Sequence, residues 1–217
     1  MKTLLVSFYS DIENRTYYSD HGKRLKESCE SLDIPNDIRE KKSLGSYQDN
    51  CLSKPKFILD TLNEKQQPIL WMDVDSLVHK SLDVFDTFGG KSDVVLSTAN
   101  GMLSGIKASP ISFDNTDNTR KFLNTWIEST QKIKSQNAND FDHEPLFALV
   151  HGYMNIIDIG FVGPEYCVWP GHTNESTYVT MGLADAESKK ENLRKMGLSE
   201  DKIEWQSPGN NYENKVH

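Results

Sequence analysis

Apolar residues fall into short unbroken runs separated by stretches with helical spacing, and this pattern alone predicts most of the elements. "TLLVSF" (3–8) predicts a first strand, followed by a polar loop with Tyr17 and Tyr18. "HGKRLKESCESL" (21–32) places Leu25, Cys29 and Leu32 on one face of an amphipathic helix. "IPNDIRE" (34–40) predicts a short second strand, and a loop with Gly45 and Tyr47 leads to "KPKFILDTLNEK" (54–65). Pro55 in a first turn, with Phe57, Ile58, Leu59 and Leu62 behind it, predicts a helix packed on a sheet. In "PILWMDVDSLVHK" (68–80), Ile69, Leu70, Trp71 and Met72 are apolar without a break, which marks a strand buried on both faces. A fourth strand is expected at "SDVVLST" (92–98), a long helix at "DNTRKFLNTWIESTQKIK" (117–134) and a short helix at "EPLFALVHG" (144–152). "MNIIDIGFVG" (154–163) predicts a strand or a pair of strands. "AESKKENLRKMG" (186–197) predicts a charged surface helix, with a loose polar tail beyond it in which Trp205 is the apolar anchor.

Strand and helix alternate, so the expected class is α/β, a single Rossmann-like domain with a mostly parallel central sheet flanked by helices. The 217 residues suffice for one large core. Four Trp, eight Tyr and nine Phe argue against a disordered chain. A net charge of −8 argues against a nucleic-acid partner held mainly by charge. Cys29, Cys51 and Cys167 are odd in number and far apart, which fits buried thiols in a reducing cytosol better than a disulfide framework. No apolar run approaches the ~20 residues that span a bilayer, and the N-terminus lacks a signal-peptide pattern. The expectation is a soluble protein of the cytoplasm. Neither the Rossmann glycine fingerprint nor a P-loop is present, so dinucleotide hydride transfer and Walker-type phosphate chemistry have no support.

The chemistry concentrates at Asp73 and Asp75. A D-x-D leaving a buried strand delivers two carboxylates to the sheet edge where ligands bind in open α/β folds. Mg²⁺ or Mn²⁺ fits such a pair, because these ions take oxygen ligands and bridge one or two carboxylates to substrate phosphates. The bland alternative is a pair of solvated acids at a strand end. Nearby segments favour the functional reading. "SFYS" (7–10) brings Ser7, Tyr9 and Ser10 to the same edge, and Lys54 opens the helix that feeds the D-x-D strand. "NGMLSGIKAS" (100–109) is a glycine-containing approach from the ligand side. In "NDFDHEPLFALV" (139–150), Asp140, Asp142 and Glu144 precede or begin a short helix, as catalytic or sugar-binding carboxylates or as helix caps.

Taken together, "SFYS", "NCLSKPKFILDTL", "PILWMDVDSLV", "LSGIKAS", "DNTRKFLNTW", "DHEPLFALV" and "IDIGFVG" resemble the GT-A fold glycosyltransferases. The likeness is to small virus- and bacterium-type nucleotide-sugar transferases of the algal-virus capsid type, over about residues 3–170. It implies a GT-A-like domain spanning 1–217, with a nucleotide-binding part over about 1–98 and a sugar and acceptor part over about 99–200. It further implies a donor nucleotide sugar, expected to be a UDP-sugar, and Mn²⁺ or Mg²⁺ as cofactor. By the same resemblance Asp73 contacts ribose or metal and Asp75 ligates the metal. Ser7, Tyr9, Ser10 and Lys54 lie on the nucleotide, Ser104 and Gly105 near the donor sugar, and Asp142 and Glu144 face sugar or acceptor. Relatives often carry an Asp-Gln or Asp-Glu pair where this chain has Asp142-His143-Glu144, which leaves open which carboxylate takes the role. They also often add a C-terminal histidine to the metal, for which His172 is the best-placed candidate and His151 the other; His79 is expected to be structural.

The acceptor is a glycan, a protein or another hydroxyl, and a nucleic-acid acceptor stays open because a few local lysines would suffice. Two other functions compete. A haloacid-dehalogenase-type phosphatase also uses a D-x-D after an apolar strand, but there the motif normally opens the domain. A non-catalytic module that binds sugar nucleotide or glycan would share the same ligand shell and differ only in turnover.

Overall fold

The computed structural model describes residues 1–11, 16–136, 138, 140–169 and 172–184. Its elements run β1 (Leu4–Tyr9), α1 (Tyr17–Glu30), β2 (Asn36–Glu40), α2 (Tyr47–Leu52), α3 (Lys54–Lys65), β3 (Ile69–Trp71), β4 (Leu77–Val78), β5 (Val94–Thr98), β6 (Ile106–Phe113), α4 (Asp117–Ser135), α5 (His143–Tyr153), β7 (Ile159–Val162) and β8 (Val179–Thr180). The helix expected over 186–197 and the polar tail with Trp205 lie outside the described residues.

Six strands form one sheet in the order β2-β1-β3-β6-β5-β7. β1 is parallel to both β2 and β3, β5 is parallel to β7, and β6 alone runs against its neighbours. The sheet is therefore α/β and mostly parallel, as the alternation predicts. Its faces follow the period-two geometry of strands. Ile69 and Trp71 of β3 point to one face, where Phe57, Ile58 and Leu62 of α3, Phe122 and Trp126 of α4, and Leu146 and Val150 of α5 cover them. Leu70 points to the other face and packs with Leu5, Leu25, Cys29, Phe85 and Val95. An unbroken apolar run is what a strand covered on both sides requires.

Several elements depart from the sequence pattern. Tyr17 and Tyr18 begin α1 rather than sitting in a loop before it. The loop expected around Tyr47 is a six-residue helix, α2, whose N-cap Ser46 accepts a hydrogen bond from Asp49 N–H. It is too short for periodicity to reveal. The strand expected from Met154 starts only at Ile159, because Met154 still caps α5. β6 was hidden by its own composition. Pro110, Lys107, Ser109 and Ser112 break the apolar signal, and a proline argues against a central strand because it lacks a ladder N–H.

β6 accommodates Pro110 with an irregularity. The β5–β6 register shifts between Leu96 and Thr98. The Ser97 hydroxyl faces the Ser109 and Pro110 carbonyls at 3.2 and 3.1 Å. That same stretch turns the Ser109 side chain toward β3, where its Oγ accepts the Asp73 N–H at 2.8 Å. A polar, proline-containing central strand thus anchors the first residue of the D-x-D.

Candidate active site

β1 and β3 run parallel and end side by side, so the residues after them share one edge of the sheet. There a cavity of about 140 Å³, open to solvent, is lined by Tyr9, Ser10, Lys54, Asp73, Asp75 and Asp142 among others. Of the residues expected from sequence, these six come together.

Lys54 is the hub. It opens α3 and is almost fully buried, with Nζ 2.8 Å from Asp73 Oδ1 and 2.6 Å from Asp142 Oδ2. The ammonium also lies 5.5 Å from the Trp71 ring. Burial by itself disfavours the charged lysine, but Asp142 and Asp73 outweigh it and hold its pKa above the ordinary lysine value. Two carboxylates sharing one ammonium leave a negative balance. Burial pushes the Asp73 carboxyl up, Lys54 pulls it back, and the like charges of Asp142 and Asp75 raise it further. Asp73 Oδ1 also accepts the Trp71 indole N–H at 3.1 Å.

Asp142 is the N-cap residue of α5, yet its side chain makes no capping hydrogen bond. The exposed Glu144 reaches back instead and accepts the Phe141 N–H at 2.9 Å. Trp126 of α4 fixes the Asp142 backbone by donating from its indole to the Asp142 carbonyl at 3.0 Å. His143 is within 2.7 Å of the Ile106 carbonyl. The two carboxylates left open by the sequence therefore separate, with Asp142 turned inward to Lys54 and the cavity and Glu144 turned outward to the Phe141 N–H.

Asp75 is held from a different direction. Its carbonyl accepts Leu183 N–H at 2.8 Å, and its Oδ2 accepts Ala184 N–H at 3.1 Å. Asp73 and Asp75 present hard oxygen donors to one cavity, a donor set suited to Mg²⁺ or Mn²⁺. Those ions need few protein carboxylates when phosphate oxygens and water complete the shell. Among the described residues no three His, Cys, Asp or Glu side chains gather into a cage.

The remaining candidates lie elsewhere. Ser7 is fully buried inside β1 and its hydroxyl has no partner among the described residues, whereas Ser10, also buried and without a partner among them, lines the cavity. Ser104 and Gly105 sit in a 3-10 turn that leads into β6, with Asn100 packed against both, and neither lines the cavity. His172 is exposed and outside the lining. His79 ties β4 to β8 through Thr180 Oγ1 at 2.9 Å. His151 is exposed against its own helix.

Sequence reasoning missed an aromatic wall. Tyr18 from α1 and Tyr47, Asn50 and Cys51 from α2 line the cavity beside Tyr9. Burial raises the Tyr18 hydroxyl and the Cys51 thiol above their usual pKa values, so both stay neutral. The neighbouring Cys51, with burial, does the same for Tyr47. The S-x-x-D at Ser46–Asp49 was the available signal for α2, since it has the spacing of a helix N-cap.

No family model matches the chain, and no curated protein sequence matches it. Among solved structures, it is similar to a glycosyltransferase involved in glycosylation of the major capsid of PBCV-1. The TM-score is 0.65 at 11% identity, over 89% of this chain and 99% of that one. With the cavity at the end of β1 and β3, this likeness identifies the fold as that of a glycosyltransferase.

Proposed function

We propose that the chain is a metal-dependent glycosyltransferase that moves a sugar from a nucleoside-diphosphate sugar, a UDP-sugar, to an acceptor hydroxyl. The observation that carries this reading is the convergence of Lys54, Asp73, Asp75 and Asp142 with the tyrosine wall on one cavity, in a glycosyltransferase fold. Tyr9, Tyr18 and Tyr47 form an amphipathic wall suited to a nucleobase and ribose, and the buried Ser10 hydroxyl offers a hydrogen bond there. Asp73 and Asp75 would hold Mn²⁺ or Mg²⁺, an ion whose chemistry is to offset the negative charge of a diphosphate. In the reaction the bond from the anomeric carbon to the diphosphate oxygen breaks and a bond to the acceptor oxygen forms, with loss of the acceptor's proton. Asp142, ion-paired and fixed by Trp126, accepts hydrogen bonds from sugar hydroxyls or takes that proton. Lys54, ion-paired with both, holds the Asp73 and Asp142 carboxylates together at the cavity.

Calorimetric titration with UDP tests this reading. Affinity should fall at least tenfold when chelator replaces Mn²⁺ and recover when the ion is restored. Equal UDP affinity with and without chelator would remove the metal from the proposal.

A further inference from the structure

The segment that approaches Asp75 is built like core. β8 pairs antiparallel with β4, Leu77 opposite Thr180 and Val78 opposite Val179. On its other side Val168 donates to the Val179 carbonyl and Met181 donates to the Val168 carbonyl, each at 3.0 Å. Val179, Thr180, Met181, Leu183 and Ala184 are all less than a tenth exposed. Between them Gly182 has φ +76°, and a Cβ there would meet the Trp169 ring at 2.5 Å. The bend is thus restricted twice, by a left-handed backbone that favours glycine and by an indole packed on the bare Cα. Its result is that two successive N–H groups face one residue. Leu183 donates to the Asp75 carbonyl and Ala184 to the Asp75 carboxylate, while Ala184 also lines the cavity.

We propose that the Gly182–Ala184 bend is a positioning element for the donor's metal–diphosphate group, and that the Ala184 N–H sets the orientation of the Asp75 carboxylate. The inference rests on the reading that Asp75 ligates a divalent ion. A hydrogen bond to one oxygen fixes the carboxylate's rotation, so the ligand is pre-aimed rather than ordered on binding. The distance in sequence is large and the segment carries no ligating side chain of its own, so its contribution comes through the backbone. Outer hydrogen bonds of this kind typically change metal affinity about 10–100-fold when removed.

The test is the dissociation constant of Mn²⁺ in the presence of UDP, read from the paramagnetic resonance signal of free Mn²⁺, on the full chain. Ala184→Pro removes the donor N–H. Its Mn²⁺ constant should rise at least tenfold while the protein still melts cooperatively. If Ala184→Pro does not fold, Gly182→Ala decides by the same criterion, since its Cβ displaces the bend. A folded variant whose Mn²⁺ constant stays within twofold of wild type, with only the melting temperature lowered, overturns the proposal and leaves the segment a structural brace. Failure of wild type itself to bind Mn²⁺ with UDP present overturns the metal reading together with it, and the wild-type arm distinguishes the two failures.

Discussion

Lys54 illustrates how one residue can be legible in position while its partners are not. Its place at the head of α3 suggested a phosphate contact; it lines the cavity, and its ammonium is ion-paired with Asp73 and Asp142. Lys54→Met leaves two acidic groups facing each other with no cation. Breaking a buried pair on one side costs about 3–5 kcal/mol, and chemical denaturation at pH 7 should show a loss of that order. The sign with pH follows. Without the lysine the Asp73 carboxyl loses the charge that pulls it back down, so the penalty is present while Asp73 is ionised and shrinks as falling pH protonates it. Unchanged stability at pH 7 would contradict the ion-triad description. Asp142 and Glu144 make the complementary case, since sequence did not separate them, whereas in the fold Asp142 lines the cavity and Glu144 turns to the Phe141 N–H. Asp142→Asn should lower sugar transfer by about 100-fold or more, the scale of a lost general base, and leave UDP affinity within a few-fold. Glu144→Gln should leave transfer within a few-fold, because it only weakens an exposed hydrogen bond from the Phe141 N–H. Equal losses of transfer in the two variants would overturn the assignment.

Elements were legible wherever burial imposed a simple period. β3 with its unbroken apolar run and α3 with Pro55 in its first turn follow from the chain directly. β6 and α2 did not, for different reasons. β6 gains its place from the Ser97 hydroxyl and a register shift, neither of which leaves a periodic trace. α2 is one and a half turns long, so a cap is its only signature. The cavity wall was lost along with it. Between α3 and β2, the Arg39 guanidinium donates to both Asp37 oxygens at 2.9 and 2.6 Å, and Lys65 lies 2.8 Å away. Arg39 hydrogen bonding holds the Asp37 carboxyl down to about 2. A carboxyl depressed in the folded state contributes stability above its unfolded value of about 3.9. That contribution disappears as pH falls through about 2. Urea unfolding from pH 5 to pH 2.5 should therefore show a steeper loss for wild type than for Asp37→Asn. Parallel curves would mean that the cluster is screened at the surface.

At the scale of the whole molecule, the parallel ends of β1 and β3 gather what the chain scatters over more than a hundred positions. Tyr9 and Ser10 come from one strand end, Asp73 and Asp75 from the other, Lys54 and Asp142 from helix starts, and Ala184 from the far end of the described chain. Such an edge accounts for the D-x-D following an apolar run, since the strand supplies rigidity and the next residues supply the chemistry. No helix among the described residues is long and apolar enough to cross a membrane. The measurement that bears most directly on the central claim is turnover of a panel of UDP-, GDP- and dTDP-sugars without acceptor, followed as release of free sugar. The account predicts Mn²⁺-dependent hydrolysis of a UDP-sugar, abolished by chelator and reduced by several orders of magnitude in a folded Asp75→Asn variant. Hydrolysis of no sugar nucleotide, together with phosphate release from p-nitrophenyl phosphate that Asp73→Asn abolishes, would contradict it.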